Sequence, residues 1–107
     1  TIHLCPDMLK LIFTVVPIER LLMITDSVAA SWIGQGTMQL GGLDVVIENH
    51  VARLKEGGAL AGSTLLANEG LRHVVQVTGK NIEEVIQATS WNQAQTLGLA
   101  GFGKIEA

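Results

Sequence analysis

Asp26 sits in the stretch MITDS, residues 23–27, directly behind the apolar block Leu21 to Ile24. A carboxylate in that position has two readings. As a turn residue or helix cap it only satisfies nearby backbone. At the carboxyl end of a strand in an α/β fold it stands where the loops converge on one crevice, and there it can serve as a general base and acid. His3, with Leu4 and Cys5, opens the chain just ahead of a predicted helix, where a preceding strand would end. Taken singly it reads as an ordinary surface or core histidine. LAGST, residues 60–64, places glycine and hydroxyl residues at a predicted helix start, where free N–H groups can take an anion or a polar ligand. Many helices begin this way without binding anything.

The remaining reactive residue types form no constellation. His3, His50 and His73 lie far apart, and there is no H-x-H, H-E-x-x-H or C-x-x-C pair, so the sequence assembles no metal site. His50 belongs to a hairpin turn, and His73, beside Arg72, to the solvated face of a helix. Cys5 reads as a small buried apolar residue, and Trp32 and Trp91 as packing residues. The paired glycines of QLGGL relieve strain in a tight bend.

The elements that must position these residues are visible in the pattern. In CPDMLKLIFTVVP, Pro6 suits a first helical position and Asp7 the first turn, while Met8, Leu11, Ile12 and Val15 recur at helical spacing until Pro17. The unbroken block Leu21 to Ile24 predicts a parallel strand covered on both faces. From Gly36 to Leu60 the period becomes two: Leu43, Val45 and Ile47 share one face, Asp44 and Glu48 the other, Asn49-His50 makes the turn, and Val51 to Leu54 return. A helix follows, with Ser63 as N-cap, Leu71, Val74 and Val75 as its stripe, and Gly79 as its C′ residue. Asn81 with Glu84 predicts a capping box, and Ser90 and Gly98 bound a last short helix. A lone buried parallel strand makes no sheet, so its neighbours must come from elsewhere.

Composition narrows the function classes. The chain has 107 residues, enough for one domain that buries roughly two thirds of its unfolded surface. Its net charge is −3, with seven scattered basic residues, which argues against nucleic acid and a polybasic membrane anchor. One cysteine and no apolar run long enough to span a bilayer suit a reducing cytoplasm. A hydrophobic share of 48% with only 16% charged is oily for a free domain of this size. The chain is therefore expected to be a piece of something larger, or to cover its apolar surface by self-association into a homo-oligomer.

Taken in order, His3 before a helix, then MITDS, GQGTMQLGGLDVVIENHVARLKEGGALAGSTL and ATSWNQAQTLGL resemble the C-terminal part of the N-acetylglucosamine-6-phosphate deacetylases, within the amidohydrolase superfamily. The resemblance implies an α/β fold: residues 1–107 would be the C-terminal part of a metal-dependent (β/α)8 TIM barrel, its last strand and helices with an inserted β-hairpin. The chain would start back toward a small β-sandwich near residues 101–107. It implies hydrolysis of N-acetylglucosamine 6-phosphate to glucosamine 6-phosphate and acetate, with Asp26 as the catalytic base and acid acting on metal-bound water. It further implies that His3 contacts the sugar and that Leu60, Ala61 and Gly62 border the substrate pocket. The divalent metal, Zn or Fe, would be held by a glutamate and two histidines outside this chain, so the 107 residues alone are expected to be inactive. Gln93 replaces a proline common in the family's S-x-N-P-A pattern, and Met38 stands where an aromatic is frequent. Another hydrolase of the superfamily, a deaminase or cyclic amidase, is the alternative enzyme, and a non-catalytic self-associating fragment the alternative outside enzymes.

Overall fold

The computed structural model describes residues 2–106, which divide into two compact units, Thr25–Ala67 and the chain on either side of it. The central unit is built on an antiparallel meander of β1 (Gly36–Leu40), β2 (Leu43–Glu48) and β3 (Val51–Leu54). Met38 lies opposite Val45, and Ile47 opposite Ala52. The alternation read from the sequence holds: Val45 and Ile47 are buried, Asp44 and Glu48 exposed. Both tight turns use left-handed backbone, Gly41-Gly42 in the first and Asn49-His50 in the second, with φ of 51° and 60° at the latter pair. That backbone twist matches the right-handed twist of the flanking strands. Ala30, Ala52 and Ala61 close the core around Val45 and Ile47, with Val28, Met38, Leu40 and Leu54 packed against it. Beyond β3 the chain folds back beside it: Leu54 N–H donates to Ala59 O (2.8 Å) and Ala61 N–H to Ala52 O (2.9 Å).

The second unit contains α1 (Pro6–Val15), α2 (Ala67–Thr78, from its second residue on), α3 (Ile82–Val85) and α4 (Trp91–Thr96). Phe13, Val74 and Val85 form its core, with Ile12, Ile18, Leu21, Met23, Leu71 and Val75 packed around them. Pro6 begins α1 as expected. The buried face differs from the expected stripe, for Leu9 and Phe13 point inward while Met8, Leu11 and Val15 are exposed. α1 is apolar on more than one side, so periodicity alone does not choose a face. Phe13 offers the largest apolar surface, and burying it decides the rotation. Gly79 ends α2 with φ of 70°, its N–H donating to Val75 O (3.0 Å).

The expected buried parallel strand is absent in that form. Residues 21–24 have no strand partner among the described residues, and Leu22 and Ile24 are exposed while Leu21 and Met23 face the core. A strand needs neighbouring backbone, and here side chains substitute for it. Asn92 Nδ2 donates to Ile18 O (2.8 Å) and Leu21 O (2.9 Å), and Gln93 Nε2 donates to Met23 O (2.9 Å) and Ala88 O (2.6 Å). Met23 N–H also donates to Ala88 O (2.8 Å).

The capping expectations fail for local reasons. α2 starts at Ala67 rather than at Ser63, because Ser63 Oγ closes a short turn by accepting from Leu65 N–H (3.0 Å). Asn81 makes no side-chain cap, and the Glu84 carboxylate that would complete the box pairs with Lys80 instead. Ser90 Oγ donates to Gly103 O (3.0 Å) rather than capping α4, although Gly98 ends that helix with φ of 67°. Cys5 is exposed rather than buried, and Trp32, 83% exposed, is no packing residue. Trp91 is half-buried beneath Lys104, whose Nζ lies 5.4 Å from the ring centroid. His73 is half-buried, its Nε2 enclosed without a hydrogen-bond partner, so it does not lie on a solvated face.

Asn92 is 3% exposed and donates both to Leu21 O and to Ile18 O, which also accepts from Leu21 N–H (3.0 Å), so its loss removes a partner from each carbonyl and leaves its own site empty. Asn92→Ala is expected to lower the unfolding free energy by about 2 kcal/mol in urea denaturation; a change below about 0.5 kcal/mol would show that water replaces the amide without cost.

Candidate functional site

Three non-glycine residues have left-handed backbone among the described residues: Asp26 with φ of 50°, Asn49 and His50. The last two make the hairpin turn between β2 and β3. Asp26 belongs to no hairpin, and for an L-residue this conformation costs about 1–2 kcal/mol, less for aspartate than for bulkier side chains. Strain of this kind persists only where the surroundings over-determine it.

The surroundings do so through paired backbone. Asp26 C=O accepts from Ser63 N–H (3.1 Å), and Val28 N–H donates to Ser63 O (2.9 Å), so that Ser27 and Ser63 lie side by side as a parallel bridge. Ser27 N–H also donates to Thr25 Oγ1 (3.2 Å). Ser31 Oγ donates to Val28 O (2.6 Å) and meets Ser27 Oγ. All of these groups lie within the central unit. The left-handed turn at Asp26 is thus closed by bonds on its carbonyl and on the two residues after it, and the residue itself remains exposed.

The other expected site residues fall on both units. Leu60 is at the margin of exposure and bridges to Arg53, whose Nη1 donates to Gly58 O (2.8 Å). Ala61 is 7% exposed and belongs to the core. Gly62 has φ of +79°, and a Cβ there would stand 2.5 Å from Val28 Cγ1. The structure therefore brings Gly62 against the Asp26 turn. His3 is exposed, just ahead of α1 in the other unit.

LAGST does not open a helix as expected, so the free N–H groups that could take an anion at such a start are not presented there. The N–H groups of Ala61, Ser63 and Leu65 are committed to Ala52 O, Asp26 O and Ser63 Oγ. Among the described residues no three His, Cys, Asp or Glu side chains gather as metal ligands, and no helix is long and apolar enough to cross a membrane. Sequence reasoning missed Asn92 and Gln93 as the ties of residues 18–23, and Val28 as the neighbour of Gly62. Two adjacent carboxamides opening a helix, in SWNQAQ, were the available signal for the first. The second had none, since Val28 and Gly62 meet only through the fold.

No family model matches the chain. It is 37% identical over 98 residues to a Bacillus subtilis protein named N-acetylglucosamine-6-phosphate deacetylase, covering 92% of this chain and 24% of the relative. An N-acetylgalactosamine-6-phosphate deacetylase of Escherichia coli O157:H7 is 37% identical over 83 residues, covering 78% of this chain and 22% of the relative. The crystal structure of N-acetylglucosamine-6-phosphate deacetylase from Thermotoga maritima matches with a TM-score of 0.88 at 36% identity, over 98% of this chain and 29% of that one. The chain spans about a quarter of the length of the curated relatives it matches.

If the neighbouring bonds hold Asp26 in its left-handed turn, the aspartate side chain adds strain and no local support. Asp26→Gly is expected to raise the unfolding free energy by about 1 kcal/mol in chemical denaturation. A clear loss of stability would show that the carboxylate itself holds the turn.

Proposed function

We infer that this chain, homologous over nearly its whole length to part of the N-acetylglucosamine-6-phosphate deacetylases, supplies the proton-transferring carboxylate of such an enzyme. The reaction is hydrolysis of N-acetylglucosamine 6-phosphate to glucosamine 6-phosphate and acetate. The observation that carries the assignment is Asp26: an exposed carboxylate on a left-handed turn held from both sides by backbone bonds.

In the proposed reaction Asp26 accepts a proton from the water that attacks the acetamide carbonyl, and returns it to the nitrogen as the C–N bond breaks. The water oxygen leaves in acetate and the amine leaves protonated. His3 contacts the sugar. Leu60 lends an edge of the pocket, whereas Ala61, being buried, can border it only through its backbone. Among the described residues no three His, Cys, Asp or Glu side chains gather to hold a metal. A divalent ion, Zn or Fe, belongs to residues outside the chain and would lower the pKa of the attacking water.

The same reading makes residues 1–107 the C-terminal part of a (β/α)8 barrel, with a return toward a β-sandwich near residues 101–107. Residues 21–24 support it, because they have no strand neighbour among the described residues and carry outward apolar side chains, Leu22 and Ile24, that further strands and helices would cover. Met8, Leu11 and Val15 on α1 support the same point. The enzyme would be cytoplasmic and homo-oligomeric, and the 107 residues alone inactive. The match to an N-acetylgalactosamine-6-phosphate deacetylase favours a second reading, in which the substrate is the galactosamine epimer.

Acetate release by the whole enzyme, with Zn²⁺ or Fe²⁺ added and both epimeric sugar phosphates offered, tests the assignment. Asp26→Asn is expected to lower kcat by roughly 10³-fold or more while metal content stays at the wild-type level. Near-normal turnover by that variant, or release by the isolated 107 residues, would refute it.

A further inference from the structure

Resting on that reading, we propose that Gly62 is a positioning residue for Asp26: the segment Ala61 to Ser63 fixes the backbone of the aspartate. The segment is anchored at its start, where Ala61 N–H donates to Ala52 O (2.9 Å) on β3 and its methyl group is buried in the core. It is committed at its end, where Ser63 gives its N–H to Asp26 O (3.1 Å) and its C=O to Val28 N–H (2.9 Å). Between these points the chain must turn with φ of +79° while lying directly on Val28.

Only glycine meets both demands. A Cβ at position 62 would stand 2.5 Å from Val28 Cγ1, 3.7 Å from Val28 Cβ and 3.8 Å from Asp26 O. Any other residue would add left-handed strain and force Val28 or the 61–63 segment to shift, loading the two hydrogen bonds that close the Asp26 turn. The sheet, the glycine and the turn are therefore coupled in series, and the carboxylate inherits its place from β3.

The test is steady-state acetate release by the whole enzyme carrying Gly62→Ala, Val28→Ala or both, with Asp26→Asn measured alongside. Gly62→Ala is expected to lower kcat about a hundredfold, the scale of a misplacement of about 1 Å, with KM within about threefold of the original. Val28→Ala removes the methyl group that the new Cβ strikes, so the double variant is expected to recover about tenfold of that loss. A raised KM with kcat intact would make Gly62 a substrate contact, and a kcat loss that Val28→Ala does not relieve would remove the coupling; either overturns the proposal. Should Gly62→Ala fail to fold, amide hydrogen exchange of the unsubstituted enzyme decides. Ser63 and Val28 are expected to exchange at least about tenfold more slowly than an open loop, and exchange at the open-loop rate overturns the proposal. Full turnover by Asp26→Asn would instead remove the functional reading, leaving the exchange measurement to judge the clasp by itself.

Discussion

Two backbone hydrogen bonds, Ser63 N–H to Asp26 O and Val28 N–H to Ser63 O, are the constraint on which the central unit depends. They join residues more than thirty positions apart in the sequence without a regular strand on either side. Because a left-handed aspartate is unfavourable by itself, the bonds must be held by something stiffer than a loop. The meander supplies the stiffness. Val45, Ile47 and Ala52 are almost fully buried, and burying a side chain of the size of Val45 or Ile47 contributes about 1.5–3 kcal/mol, so the edge beside β3 is a firm base for Ala61. Everything chemically interesting in this unit hangs from that edge.

In the other unit the corresponding problem is a stretch of backbone with no ladder. Residues 18–23 expose carbonyls that a sheet would normally pair, and an unpaired buried carbonyl is costly. Asn92 and Gln93 answer with four N–H bonds from two adjacent carboxamides at the start of α4. Each amide uses its nitrogen for two acceptors, and Gln93 Oε1 is left buried without a partner. Through its carboxamide nitrogen Gln93 ties Met23 O to Ala88 O, beside the Met23 N–H bond to the same Ala88 carbonyl.

Much of the local structure was legible in the residues. The two-residue period of β2 and the Asn49-His50 turn follow from alternation and turn chemistry, and Gly79 and Gly98 end helices because they accept φ above zero. The stripe of α2 follows from helical spacing. The face of α1 did not, because a helix apolar on several sides leaves the choice to its heaviest side chain, Phe13. The caps failed where a competing partner was nearer: Ser63 had Leu65 N–H, Glu84 had Lys80 and Ser90 had Gly103. Of the candidate site, Asp26 could be singled out from its place after an apolar block, but its left-handed backbone and its dependence on Gly62 arise from tertiary pairing. No spacing rule encodes that pairing.

The most direct test of the central claim, that Asp26 is presented for proton transfer by its clasped turn, is a crystal structure of the whole enzyme with N-acetylglucosamine 6-phosphate bound to a slow variant altered away from residues 25–67. The account predicts Asp26 still left-handed, Ser63 N–H still on its carbonyl, and a carboxylate oxygen one water, two contacts of about 3 Å, from the acetamide carbonyl carbon. An Asp26 side chain turned away from the acetamide, or a turn that opens when substrate is bound, would contradict it.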